Sequence, residues 1–188
     1  MLDPVLLRLG PLEIRYYGVL FAAAFLVGYF ILRKLAPEKN LHPDTIDEFL
    51  LWLIPGIVIG ARLFEVVVYE PAYYFANPAK IIAVWEGGLA SHGGALGGIF
   101  VTWLFCRRKK IKFYDLADIA IIPCALGAMF VRLGNFVNGE IVGRVTTLPW
   151  GMEFTGYERK RHPSQLYEAF KNLLLFGILW QLRKLKNL

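Results

Sequence analysis

The sequence predicts an all-α integral membrane protein of about five transmembrane helices, with one head segment on the outer side. Three observations predict it. Of the 188 residues, 56% are hydrophobic and 15% aromatic, too apolar for an ordinary soluble domain of this length. The apolar residues gather into runs long enough to span a bilayer, which takes about 17 to 25 residues as helix. The Lys and Arg residues cluster between these runs, where they act as topology signals.

Taken in order, Met1 to Arg15 carries Asp3, Glu13 and two prolines where a cleavable signal peptide needs a basic stretch and an apolar one, so none is expected there. The first span covers residues 16–33, closed by Arg33-Lys34 and followed by a polar loop. The second, 49–69, is interrupted by Pro55 and carries Arg62 and Glu65, so it is expected to be kinked and charged. The third, 89–106, is glycine-rich and ends at Arg107-Arg108-Lys109-Lys110. The fourth covers 113–133. Residues 134–163 mix Gly, Pro, Thr and charges without a period and read as an ordered loop or small head. The fifth, 164–182, ends at Arg183, Lys184 and Lys186.

Placing the three basic clusters on one side puts eleven basic residues inside against seven in the opposite loops, with the N-terminus outside and the C-terminus inside. The segment from Arg132 to Pro163 then lies at and beyond the outer boundary, where chemistry meets exported substrates. No repeat or linker divides the chain, so residues 1–188 are expected to form one membrane domain. The net charge of +6 forms no face or stripe, which argues against a nucleic-acid partner. Cys106 and Cys124 lack metal-ligand spacing and read as small hydrophobes.

An ionisable side chain inside a bilayer costs at least ~2.5 to 3.5 kcal/mol, so Arg62, Glu65, His92, Asp118 and Arg132 need a reason. Arg62 and Glu65, three apart on a helix, are either a mutual ion pair or a substrate contact. Asp118 lies near the inner end of the fourth span, where packing or snorkelling accounts for it. Arg132 is followed at once by Gly134, Asn135, Asn138, Gly139 and Glu140. A guanidinium there can hold a phospholipid phosphate through two parallel hydrogen bonds, the amides orienting the other oxygens and Glu140 bracing Arg132 or Arg144. This reading is preferred over a polar helix cap with a salt bridge.

The stretch Trp85 to Gly94 puts His92 near the start of the third span, where a neutral imidazole can take a proton from a thiol, although a lone histidine is more often structural. Gly93/Gly97 and Gly94/Gly98 have the spacing of close helix packing. Tyr16, Trp85 and Trp150 read as interfacial anchors. In the stretch Arg161 to Glu168, Ser164 can cap a helix, and Gln165 and Glu168 share a face, a structural role at least as much as a substrate contact.

These residues resemble a known family. Arg132-x-Gly-Asn-Phe-x-Asn-x-Glu-x-x-Gly143 is similar to the signature of prolipoprotein diacylglyceryl transferases. Tyr17-Gly18, Gly60-Ala-Arg62, Trp85-Glu-Gly-Gly with His92-Gly-Gly, and His162-Pro-Ser-Gln-Leu-Tyr-Glu168 follow the family's order along nearly the whole chain. The resemblance implies transfer of the diacylglyceryl group of phosphatidylglycerol to the lipobox cysteine of a prolipoprotein, in a bacterial cytoplasmic membrane and without metal or cofactor. It implies Arg132, His92 and Tyr17 as catalytic residues. It also implies a phosphatidylglycerol site of Arg132, Asn135, Asn138, Glu140, Gly143, Arg62, Gly93 and Gly94. Two departures stand out. Val131 stands where the family usually has Gly, and the sequence ends at Leu188, before the two further spans with a second arginine that members usually carry. The chain is thus either a complete, shortened member or a fragment of a longer protein. The alternative is therefore a shortened, non-catalytic member that binds phospholipid or serves as an assembly subunit.

Overall fold

The computed structural model describes residues 3–10 and 12–185; Lys186, counted above in the last basic cluster, lies outside them. Six α-helices dominate: α1 (Tyr16–Leu35), α2 (Pro43–Phe64), α3 (Pro71–Ala76), α4 (Ser91–Lys109), α5 (Phe113–Asn138) and α6 (Ser164–Leu182). α1 and α2, each with the turn that follows it, and α5 are long and apolar enough to cross a membrane. α4 and α6 have 19 residues each, about 28 Å of helix, and are less apolar. Large side chains point outward along these helices, including Phe30, Leu51, Ile59 and Leu26. Such a surface suits lipid rather than water.

A short antiparallel hairpin precedes α1, an addition to the helical architecture expected from sequence. β1 (Val5–Leu9) pairs with β2 (Leu12–Arg15), Arg8 facing Glu13 across a turn at Gly10, whose φ is +60°. The Arg8 and Glu13 side chains approach to 3.6 Å.

The described residues form two compact units. One comprises Leu35–Ala117 and is built on α2 against α4. Their contact is as close as backbones allow: a methyl on Gly60 would fall 2.7 Å from the Gly97 Cα. Gly94 and Gly98 meet Ile57 instead. At the opposite end Phe49, Ile46 and Phe105 are fully buried, with the Phe49 and Phe105 rings 5.4 Å apart. α2 is capped by His42, whose Nδ1 accepts from the Asp44 N–H, contains Pro55, and runs on through a wider π-type turn, Glu65–Tyr69.

The other unit comprises the residues up to Lys34 and those from Asp118 onward. α1 meets α5 where a methyl on Gly28 would touch Pro123 at 3.6 Å. The C-terminal ends of α1 and α6 meet at Lys34, which lies 5.9 Å from the centre of the Trp180 ring. The head segment closes on itself, with Gly143, Thr146 and Met152 bonded to His162, Lys160 and Arg161 along the backbone. It is pinned by Phe154, buried edge-on against Phe136 of α5.

Candidate functional site

The end of α5 organises the first cluster. The helix continues through Asn138, beyond the Leu133 boundary read from the apolar run, so Arg132, Asn135 and Asn138 project from helix. Gly139, at φ +71°, then takes the left-handed conformation that stops a helix cheaply only as glycine. Its N–H donates to the Phe136 carbonyl and the Glu140 N–H to the Asn135 carbonyl, the paired bonds of a Schellman cap. This cap turns the Glu140 side chain back over the helix end. Its carboxylate accepts from Asn135 Nδ2 and Asn138 Nδ2, both at 3.2 Å.

Glu140 is thus occupied by two amides, and it is Glu168 of α6 that holds Arg132. The contact runs from Arg132 Nε to Glu168 Oε2 at 2.7 Å. A guanidinium gripped at Nε keeps its two terminal nitrogens side by side as a planar fork. Next to it, the Tyr17 ring packs on Gly134, where a methyl would lie 2.7 Å from Tyr17 Cδ2.

The first turn of α6 closes the cluster from the other side. Gln165, fully buried, donates from Nε2 to the Glu140 carbonyl at 2.5 Å, and Ser164 donates to the Ile141 carbonyl at 2.9 Å. These bonds hold Ile141 at φ +54°, a strained conformation for a β-branched residue. Beside them opens a cleft of about 560 Å³ lined by Gly143, Arg144, Val145, His162, Ser164 and Tyr167. A methyl on Gly143 would stand 2.8 Å from the His162 Cβ, so glycine lets these two strands close. His162 Nδ1 and the Tyr167 hydroxyl are 3.0 Å apart.

In the second unit, His92 is exposed at the start of α4, its Nδ1 3.0 Å from the Tyr69 hydroxyl and its ring stacked on Phe64. Arg62 is buried, and all its N–H groups face backbone. Nε donates to Ile81, Nη1 to Gly87 and Gly88, and Nη2 to Lys80 and Ala83, with the guanidinium 4.7 Å from the Tyr74 ring centre. Gly87 and Gly88 have positive φ, and a methyl on Gly88 would lie 2.7 Å from Arg62 Nη1. The loop before α4 is also clipped by Lys80 and Glu86, whose hydrogen bond and charge hold the lysine above its ordinary pKa.

Residues 4–187 match the family described as prolipoprotein diacylglyceryl transferase. The chain belongs to the prolipoprotein diacylglyceryl transferase family. A protein of Tolumonas auensis named phosphatidylglycerol-prolipoprotein diacylglyceryl transferase is 44% identical over 182 residues, covering 96% of this chain and 70% of that protein. Proteins of the same name from Nitratidesulfovibrio vulgaris (Miyazaki F) and Bordetella avium are 42% and 44% identical, each over 95% of this chain. They cover 69% and 70% of those proteins. The chain is therefore an enzyme of the transferase class in a membrane-protein family.

Within this diacylglyceryl transferase, the geometry gives several residues read from sequence their surroundings. Arg62 does not pair with Glu65 and has no donor left for a phosphate, because five carbonyls take them. Gly93 and Gly94 are buried against α2, where they serve close helix packing. The brace on Arg132 is Glu168, not Glu140. Arg132, Asn135, Asn138, Glu140, Gly143 and Tyr17 do belong to one unit and all but Gly143 gather at the end of α5. Glu168 and Gln165 are read from sequence as structural at least as much as substrate contacts, and their shared face on α6 is the available signal. The Tyr69 contact with His92 spans 23 residues and has no sequence signal.

Proposed function

We propose that this transferase moves the diacylglyceryl group of phosphatidylglycerol to the thiol of a prolipoprotein's lipobox cysteine, at the outer face of a bacterial inner membrane. The reading places the N-terminus outside, the C-terminus inside, and the whole chain in one membrane domain. The posture of Arg132 carries it. With Nε fixed by Glu168, the terminal fork faces away from the ion pair and can take two phosphate oxygens at once. The names of the relatives supply the substrates.

In the step itself, the cysteine sulfur attacks the glyceryl carbon that carries the phosphate ester. A C–S bond forms, the C–O bond breaks, and the bonding pair leaves on the oxygen of glycerol phosphate. Arg132 offsets the negative charge that grows there, a contribution worth about 3 to 4 kcal/mol for one well-placed donor. The thiol proton goes to His92. That role requires the tautomer in which Nδ1–H donates to the Tyr69 oxygen, leaving the lone pair on Nε2. Tyr17, packed on Gly134, and Asn135, bonded to Glu140, shape the phosphate site.

The test is transfer from phosphatidylglycerol in nanodiscs to a lipobox peptide, read as the mass of the thioether product. Arg132→Ala is expected to lower kcat by at least roughly a hundredfold, and His92→Ala by a similar order. Full activity in Arg132→Ala would refute the reading.

A further inference from the structure

Among the described residues, the buried acceptor oxygens without a hydrogen-bond partner are Oδ1 of Asn138 and Oε1 of Gln165. Gln165 is only 1% exposed, and a buried acceptor left bare is costly. The orientation of both amides is fixed. Asn138 Nδ2 faces the Glu140 carboxylate and Gln165 Nε2 faces the Glu140 carbonyl. Turning either amide over would set oxygen against oxygen, so each places its oxygen on the side away from Glu140. Two acceptors, on amides tied to one residue, are thus left without a donor from the described residues, as is one buried donor, Nε of Arg161, without an acceptor.

We infer that Asn138 and Gln165 read the hydroxyl groups of a polyol phospholipid headgroup and set the preference for phosphatidylglycerol; this rests on the function proposed above. Position supports it. On α5, Asn138 lies beyond Arg132 toward the head segment, and on α6 Gln165 lies one turn nearer that segment than Glu168. In the proposed pose, a phosphate on the Arg132 fork directs its headgroup toward the end of the two helices where the amides lie. Glycerol carries two hydroxyls on adjacent carbons, which can reach two acceptors. Choline carries no N–H or O–H donor, and ethanolamine concentrates its donors on a single nitrogen. The assignment separates two tasks in the lipid site: Arg132 binds the phosphate common to all donors, and the amides choose among them.

The experiment compares phosphatidylglycerol with phosphatidyl-1-propanol, which has the same headgroup skeleton without the hydroxyls. Bound lipid is counted by native mass spectrometry and transfer is followed in parallel, for the full chain and for Gln165→Leu and Asn138→Leu. Each comparison is a ratio within one preparation, so partial misfolding of a variant cancels. The full chain is expected to favour phosphatidylglycerol roughly tenfold or more, since a site built around hydroxyls rejects an analogue that lacks them. In each variant the ratio should fall toward one. Equal handling of the two lipids by the full chain, or an unchanged ratio in both variants, overturns the inference. Selective binding without transfer supports it while refuting the proposed function. Transfer without selectivity does the reverse.

Discussion

At the scale of single residues, three arginines of similar sequence setting have three different tasks, decided by their acceptors. Arg132 meets one carboxylate at Nε and keeps its fork open. Arg161 donates to the Gly143 carbonyl and lies 4.3 Å from the Tyr157 ring centre, holding the head segment. Arg62 is consumed by five carbonyls and fixes the loop from Lys80 to Gly88. Lysine keeps the charge at that position but offers three donors from one point instead of five in a plane. Arg62→Lys is therefore expected to destabilise the protein by about 2 to 3 kcal/mol, seen as a lower melting temperature in detergent. Trypsin should also cut faster after Lys80. Unchanged melting and cleavage with weaker lipid binding would return Arg62 to the role of a lipid ligand.

At the scale of elements, close packing of α4 is legible because Gly93, Gly97, Gly94 and Gly98 sit at helical spacing, but its partner α2 and the glycines that carry the contact are not. Gly60 and Gly97 approach backbone to backbone, whereas Gly127 of α5 has nothing within 4 Å of a methyl. Gly60→Ala is accordingly expected to cost about 1 to 3 kcal/mol by overpacking. Gly127→Ala should be neutral or stabilise by up to about 1 kcal/mol through helix propensity. Chemical denaturation of both variants in the same detergent checks the contrast, and equal losses would sink it. The end of α5 shows why boundaries misread: hydropathy stops at Leu133, while the helix stops where Gly139 can turn left-handed. The hairpin before α1 was missed for a related reason, since Val5–Leu9 is too short for its alternation to stand out. Glu168, the partner of Arg132, was recognised as sharing a face with Gln165. What that face meets is a tertiary fact that no local spacing contains.

At the scale of the whole molecule, the sidedness proposed for the site is argued from α5. Its 26 residues extend about 39 Å, more than the roughly 30 Å of hydrocarbon, enough for its two ends to reach opposite sides of a membrane. One end is preceded by five basic residues between Arg107 and Lys112; the other carries Arg132 and its amides. An excess of Lys and Arg near a span retains that end in the cytoplasm. On the proposed topology the Arg132 end is outward, the side on which the proposed prolipoprotein substrate would arrive. This makes a labelling pattern definite. In a background with Cys106 and Cys124 replaced by alanine, a membrane-impermeant maleimide added to intact spheroplasts should modify Thr147→Cys in the head segment. It should reach Lys112→Cys only after permeabilisation. Thr147 and Lys112 are both exposed, so neither result can be blamed on burial within the described fold. The reverse pattern would place Arg132 on the cytoplasmic face and separate the proposed phosphate site from the substrate it is meant to serve.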